Sequence, residues 1–299
     1  LARVCRRWQI DVIDSHLESA GLVSVIAGRM TGTPVSVTMY CGVWDSGLMI
    51  WPWTTRAALR FAKGVLTDSH IRSKQMSELV PGQERKFRVI PNGIPDPEAD
   101  RTGSEMRKLL GLPGDPKVRI IAQIGRFTEY KGQAVLLRAA RRVLDAEPDT
   151  AFLMVGFGRE GSYKAHLNHL VRELRIEDRV VMTDYSGKIG DVWQAVDIHA
   201  HASLFDSLPI SIAEGMSLGK PAVVSSAGGI PEIVQHGRTG LVVPPGDVDA
   251  LAEAILRLLR EPDLARELGQ NARGRYEELY RPDEMVRALE GYFASLAAG

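Results

Sequence analysis

The stretch DIHAHASLFDSLPISIAEGMSLGKPAVVSSAGGIPEIV, residues 197–234, decides the fold. Its opening run, Asp197–Ala200, has strand character. A loop follows, then a helical segment over Pro209–Leu218, with Pro209 suited to a first helical turn. A second, β-branched run at Ala222–Ser225 leads through Gly228-Gly229 into another short helix, Ile230–Gln235. The same alternation extends outward. Upstream it predicts strands at Val118–Gln123, Ala151–Val155 and Arg179–Met182 and helices at Gln133–Ala146, Glu160–Leu174 and Ile189–Ala195. Downstream it predicts a strand at Leu241–Val243 and a helix at Val248–Leu259. Strict βα alternation implies a parallel sheet covered by helices on both faces, with ligands at the carboxyl ends of the strands.

Nearer the N-terminus, short apolar runs recur at Val12–Ile13, Pro34–Met39, Val65–Thr67 and Phe87–Ile90, with helical patterns at Leu22–Met30 and Ile71–Leu79. Four strands are too few for a complete doubly wound domain. Residues 91–116, PNGIPDPEADRTGSEMRKLLGLPGDP, are rich in Pro, Gly and Asp and read as an interdomain linker with one short helix, Ser104–Leu110. The chain ends in two helices, Asp263–Leu279 and Pro282–Leu296, broken at Arg281-Pro282. The expected organisation is an incomplete first α/β domain over 1–95, a linker over 96–116 and a second domain over 117–280. Residues 281–299 are expected to return to the first domain, because Leu289, Tyr292, Phe293 and Leu296 form an apolar stripe that needs a surface. The chain opens on Leu1 without a signal-peptide pattern and reads there as the middle of a folded domain, so a missing N-terminal segment is expected.

A length of 299 residues is natural for two domains. Lys+Arg and Asp+Glu are both 37, and a zero net charge argues against a general nucleic-acid binder. The two cysteines, Cys5 and Cys41, make no disulfide framework, so a reducing compartment is expected. No apolar run approaches the ~20 residues of a membrane span. Charge is uneven: residues 1–90 hold 12 basic and 7 acidic side chains (12 − 7 = +5), and the remainder is −5. This is either surface variation or a first half that faces something anionic, such as lipid headgroups.

Four constellations could do chemistry. In Ile124–Gln133, IGRFTEYKGQ, Gly125 allows a tight turn at a strand end, and Arg126 and Lys131 flank a helix entrance. Two cations at a helix N-terminus suit a diphosphate; the alternative is a surface loop with solvated charges. In Asp206–Glu214, DSLPISIAE, the carboxylates stand eight residues apart, about 80° on an ideal helix. They could share a sugar or ribose; alternatively Asp206 caps the helix and Glu214 lies on a polar face. In Ser225–Val234, Gly228-Gly229 turns the chain and Glu232 sits in a helical first turn. In Asp11–Ser19, DVIDSHLES, His16 ends a strand, either facing a ligand or satisfied structurally. Met39–Trp53 adds Trp44, Trp51 and Trp53, which could stack on sugars, sit at a membrane interface or pack a core.

GRFTEYKG, VGFGREG (Val155–Gly161), the 197–234 stretch and GRTGLVVPPGD (Gly237–Asp247) together resemble the donor domain of the family-4 retaining glycosyltransferases. VIPNGI (Val89–Ile94) resembles the end of that family's first domain, and DVIDSH its His-bearing strand. The resemblance implies the GT-B fold, two Rossmann-like domains facing a cleft, with a nucleotide-diphosphate-sugar donor. It implies that Arg126 and Lys131 hold the diphosphate, that Glu214 binds the ribose, that Asp206 contacts the donor sugar and that His16 lies beside the transferred sugar. Gly125, Gly156, Ser207, Leu208 and Pro209 join the donor set, and Tyr40 and Trp44 the acceptor side. No metal and no cofactor are implied. The family's pair is usually Glu-x7-Glu, and here it begins with Asp206; its THxG-like loop here reads TMYCG, with Tyr40.

The function expected is retaining transfer of a sugar to a glycan or lipid-linked acceptor in cell-surface or exopolysaccharide synthesis. The setting expected is the cytoplasm, at the inner face of the membrane through peripheral contact. The rival readings are a synthase of a storage glucan or disaccharide, a sugar phosphorylase, and a non-catalytic nucleotide-sugar or glycan-binding protein on the same fold.

Overall fold

The computed structural model describes residues 1–16, 18–40, 52–156 and 162–298. They form two compact units, Leu1–Gly93 with Arg281–Gly299, and Ile94–Tyr280.

In the first unit, β1 (Ile13–His16), β2 (Val35–Met39), β3 (Gly64–Thr67) and β4 (Phe87–Val89) lie side by side in chain order. All are parallel, with Ile13 opposite Val35, Val37 opposite Val65 and Val65 opposite Phe87. Every residue of β2 and β3 is buried, the pattern of strands covered on both faces. The helices are α1 (Ala2–Trp8), α2 (Glu18–Thr31), α3 (Pro52–Phe61) and α4 (His70–Ser77). Cys5, Val25, Leu59 and Met76, one from each helix, pack with Val37, Val65 and Phe87. Helices α1 and α3 are absent from the sequence expectation.

The second unit carries β5 (Arg119–Ile124), β6 (Thr150–Gly156), β7 (Val180–Asp184), β8 (Ile198–His201), β9 (Ala222–Ser225) and β10 (Leu241–Val243). Their order is β10-β9-β8-β5-β6-β7, all parallel, so the chain reverses direction across the sheet at β5 and β8. The helices are α5 (Gly103–Leu110), α6 (Gln133–Ala146), α7 (Ser162–Glu173), α8 (Ile189–Gln194), α9 (Ile210–Ser217), α10 (Ile230–Ile233), α11 (Val248–Arg260) and α12 (Pro262–Leu279). Alternation along the strands sends Ile121, Phe152 and Met154 towards α6, α7 and α11. Their neighbours Ile120, Ala122 and Leu153 face Met106 of α5 and Trp193 of α8.

Residues 96–116 are not a linker. They belong to the second unit, where Met106 is wholly buried and Asp191 accepts hydrogen bonds from the Asp100 and Arg101 backbone at 2.6 and 2.9 Å. Thr102 and Glu105 form a reciprocal capping box that starts α5. The Pro/Gly/Asp composition marks turns packed on a surface rather than a free connection. The units divide at Gly93–Ile94 and Tyr280–Arg281, and the Ile94 N–H donates to the Tyr280 carbonyl at 2.8 Å.

After that break, α13 (Pro282–Ala298) belongs to the first unit. Its stripe of Leu289, Tyr292, Phe293 and Leu296 packs on Val12, Leu66 and Ile90, the sheet face opposite α2 and α3. Among the described residues no helix is long and apolar enough to cross a membrane.

Candidate active site

Strand β5 ends at Ile124, and Gly125 takes φ +157°, a conformation that side-chain-bearing residues rarely adopt. Arg126, Phe127 and Thr128 lead into a single 3-10 turn, Glu129–Lys131. Gly132, at φ +68°, closes this turn and opens α6; a Cβ there would overlap the carbonyl oxygen of Ala202. Only glycine lets this loop lie directly on the chain leaving β8. The Tyr130 carbonyl accepts from the Leu204 N–H at 2.7 Å. From below, Gln123 Nε2 donates to the Lys131 carbonyl at 2.6 Å and Gln133 Nε2 to the Arg126 carbonyl at 2.7 Å. The backbone is thus pinned while both cationic side chains remain outside it. Arg126 is exposed and donates to the Tyr130 hydroxyl at 2.7 Å.

Lys131 Nζ donates to Asp206 Oδ2 at 2.6 Å, and both side chains are 13% exposed. Asp206 lies in the loop after β8, ahead of the start of α9 at Ile210. The 80° helical-wheel relation to Glu214 therefore does not apply; loop geometry places Asp206 instead. The same Oδ2 is 3.1 Å from His201 Nε2 and accepts from Ser203 Oγ at 3.1 Å. Burial pushes the Asp206 carboxyl up, but the hydrogen bond from His201 and the Lys131 charge outweigh it and hold its pKa at about 2. Burial holds the fully enclosed His201 below its ordinary value, against the pull of Asp206. A neutral His201 facing an ionised acceptor carries its proton on Nε2.

Glu214 stands in the second turn of α9, half-buried, and accepts from Trp193 Nε1 at 3.3 Å. Burial raises its pKa and the Trp193 hydrogen bond offsets part of that. Pro209 is buried as the residue preceding α9; Leu208 packs on the core around Ile212, and Ser207 is half-buried beside Asp206. Gly156 ends β6 beneath the Phe127 ring, which a side chain there would overlap.

The structure brings Lys131 and Asp206 together at the carboxyl ends of β5 and β8, with Arg126 on the same loop as Lys131. Glu214, in α9, meets Trp193 and none of those three among the described residues. His16 and Tyr40 belong to the first unit. His16 ends β1, its Nε2 2.9 Å from Asp14 Oδ2, and its ring stacks on Tyr40 with centroids 5.6 Å apart. Burial, then Asp14 and Asp68, raise the Tyr40 hydroxyl pKa. Trp44 and Trp51 lie outside the described residues; Trp53, in α3, is exposed. Sequence reasoning gave no role to Tyr130, Trp193, His199, His201 or Ser203. Two depressions of about 400 and 300 Å³ lie at the opposite, amino end of the second sheet and include none of these residues. Among the described residues no group of three or more His, Cys, Asp or Glu side chains is placed to hold a metal ion.

A family model described as Glycosyl transferases group 1 matches residues 106–275, more than half of the chain and all of this strand-end constellation. The chain belongs to the group 1 glycosyl transferases. In this glycosyl transferase, residues 1–97 match a second model, Glycosyltransferase Family 4. It is similar to a 2-deoxystreptamine glucosyltransferase of Streptomyces kanamyceticus, 29% identical over 86% of this chain and 70% of the relative. It is also similar to an N-acetyl-alpha-D-glucosaminyl L-malate synthase of Bacillus anthracis, 25% identical over 97% of this chain and 76% of the relative. Among solved structures, Anabaena HepE in complex with UDP superposes with a TM-score of 0.87 at 22% identity, over 98% of this glycosyl transferase and 80% of HepE. The fold is GT-B, with two Rossmann-like domains each built on a parallel sheet.

Proposed function

We propose that this glycosyl transferase moves a sugar, with retention of anomeric configuration, from a nucleoside-diphosphate sugar to a hydroxyl of a glycan or lipid-linked acceptor in cell-surface or exopolysaccharide synthesis. The observation that carries this reading is the contact between Lys131 and Asp206 at the ends of adjacent strands β5 and β8. It pairs a cation suited to a diphosphate with a carboxylate suited to sugar hydroxyls. Arg126, on the same pinned loop, supplies a second cation, and Glu214 supplies an acceptor for the ribose.

The chemistry needs no enzymic nucleophile. The bond from the anomeric carbon to the diphosphate oxygen breaks, and the acceptor oxygen bonds to that carbon on the same face. The departing diphosphate takes the acceptor proton. Negative charge grows on the diphosphate, where Arg126 and Lys131 stabilise it without a metal ion. His16, with Tyr40 stacked on it, would serve the transferred sugar and the acceptor. On α2, Val23, Ile26 and Met30 are exposed at helical spacing, and Arg29 lies 4.1 Å over the Phe61 ring. Together with the +5 surplus of residues 1–90, this supports a lipid-linked acceptor and peripheral membrane contact.

Incubation with UDP-, GDP- and ADP-sugars and candidate acceptors tests the reading. The expected result is release of one nucleoside diphosphate and, by proton NMR, an α-linked product from an α-linked donor. A β-linked product overturns retention. Sugar-nucleotide binding without release in the presence of acceptors overturns transfer and favours a binding protein on this fold.

A further inference from the structure

A buried row of rings runs beneath the two donor carboxylates. Trp193, fully buried in α8, is within hydrogen-bond reach of Glu214, Nε1 to Oε2 at 3.3 Å. Its ring meets His199 edge-on, with centroids 5.0 Å apart, and His199 meets His201 at 5.7 Å. His201 closes the row on Asp206, 3.1 Å from Oδ2, with Ser203 Oγ 2.9 Å from His201 Nε2. The two histidines are two residues apart on β8 and are 1% and 0% exposed. Gly215 of α9 admits the row: a Cβ there would stand 3.1 Å from Trp193 Cη2 and 3.3 Å from His199 Nδ1.

This row is costly as plain core. His199 Nδ1 and Nε2 and His201 Nδ1 are buried without a hydrogen-bond partner among the described residues. A buried polar atom without a partner destabilises, and aliphatic side chains on a central parallel strand would avoid that. What the row does achieve is one-sided anchoring of each carboxylate. Asp206 Oδ2 takes all of that side chain's contacts, from Lys131, His201 and Ser203, and Oδ1 takes none among the described residues. Glu214 likewise uses Oε2 for Trp193 and leaves Oε1 without a partner among the described residues. A carboxylate held by one oxygen is fixed in rotation and presents the other to a ligand. Burial keeps both histidines below their ordinary pKa values, so His201 donates as a neutral group.

We infer that His201 and Trp193 are positioning residues for the donor, His201 with Ser203 setting Asp206 for the sugar and Trp193 setting Glu214 for the ribose. The inference rests on the reading of Asp206 and Glu214 as donor ligands. It assigns the two residues separable effects, which a shared packing role would not produce. Loss of the His201 donor should spare the nucleotide, and loss of the Trp193 donor should not.

Calorimetry with UDP and UDP-glucose, or GDP and GDP-mannose where UDP does not bind, tests this. His201→Leu is expected to weaken the sugar nucleotide about tenfold and the free nucleoside diphosphate less than about twofold. His201→Gln, which keeps an N–H at the same reach, is expected to restore most of the loss. Trp193→Phe, which keeps an aromatic ring and removes the donor, is expected to weaken both ligands by a similar factor. Retained nucleoside-diphosphate binding shows that His201→Leu is folded. Equal weakening of both ligands by His201→Leu, no weakening of either, or no recovery in His201→Gln overturns the inference. Asp206→Asn and Glu214→Gln run in parallel separate the two levels. If they bind both ligands as the wild type does, the donor reading itself fails. If they respond and the His201 and Trp193 variants do not, only the positioning roles fail.

Discussion

Gly228 and Asp206 are in backbone contact: a Cβ on Gly228 would overlap the Asp206 carbonyl oxygen, and the Gly229 N–H donates to that oxygen at 3.0 Å. Gly228 also stands at φ +53°, where side-chain-bearing residues are strained. Gly228→Ala must therefore displace the Asp206 backbone and disturb the seating of its carboxylate. The expected cost is about 1–3 kcal/mol of stability by denaturant unfolding. A larger loss of affinity for sugar nucleotide than for nucleoside diphosphate should accompany it. An unchanged unfolding midpoint with normal donor binding would remove Gly228 as a clamp on the site.

Arg126→Ala and Lys131→Ala are expected to lower turnover by roughly 10²–10³-fold, because each removes charge that matters most as the diphosphate leaves. The two should differ in stability. Arg126 is exposed, so its loss should change unfolding by less than about 0.5 kcal/mol. Lys131 removes one of three donors from a buried carboxylate and should cost more. Wild-type turnover in both variants would displace the leaving group from this loop.

Acid sensitivity separates the two carboxylates. Asp206 has a folded pKa of about 2 against an ordinary 3.8. A depressed acid stabilises the fold above its unfolded pKa, so this contribution, roughly 2 kcal/mol, is present above about pH 4 and lost as pH falls towards 2. Glu214 has the opposite sign. Its pKa is raised by burial, so its ionisation at neutral pH disfavours the folded state. Unfolding measured against pH should show a shallower acid limb in Asp206→Asn. Glu214→Gln should be more stable than wild type at pH 7 and lose that advantage near pH 4. Equal stability of Glu214→Gln and wild type at pH 7 would contradict the raised value.

In the first unit, Gly64 and Tyr292 should couple. A Cβ on Gly64 would overlap the Tyr292 hydroxyl, which lies 3.2 Å from Ser36 Oγ and is pushed up to a pKa of about 12 mainly by burial. Tyr292→Phe alone should cost about 1 kcal/mol through the lost hydrogen bond. Gly64→Ala alone should cost about 1–3 kcal/mol through overpacking. The double variant should cost less than the sum, since removing the hydroxyl opens space for the methyl. Additive losses in a double-mutant cycle would show that α13 shifts freely on the sheet.

The second unit was legible because each βα step carries its own periodicity and its glycine or proline punctuation; strands β5 to β10 fall where the sequence places them within a few residues. The sequence sets Lys131 and Asp206 in two separate constellations, each after a strand, and their contact across β5 and β8 is visible only in the structure. The row beneath them was not legible either. In DIHAHAS the histidines sit at i and i+2, which put them on one face of a strand, and Asp206 follows five residues later. That spacing is the available signal, but Trp193 joins them from another helix, and no local pattern reports such a contact. Residues 96–116 misled for a related reason: the buried Met106 and the Asp191 contacts that fix them are long-range. Helix α1 is seven residues long and buries one side chain, Cys5, too little to make a stripe. Helix α3 does bury Thr55, Ala58 and Leu59 at helical spacing, a signal that was available.

The return of α13 to the first sheet orders events during synthesis. Residues 94–280 leave the ribosome complete before residues 281–298 emerge. Until then Leu66 and its neighbours on that face of the first sheet lack their covering helix. The second unit can therefore fold while the first is still open, and strands β1 to β4 are covered on that face only after the later strands β5 to β10 have been made. A chain stalled or terminated before residue 281 would thus expose apolar surface on its first unit rather than at its growing end.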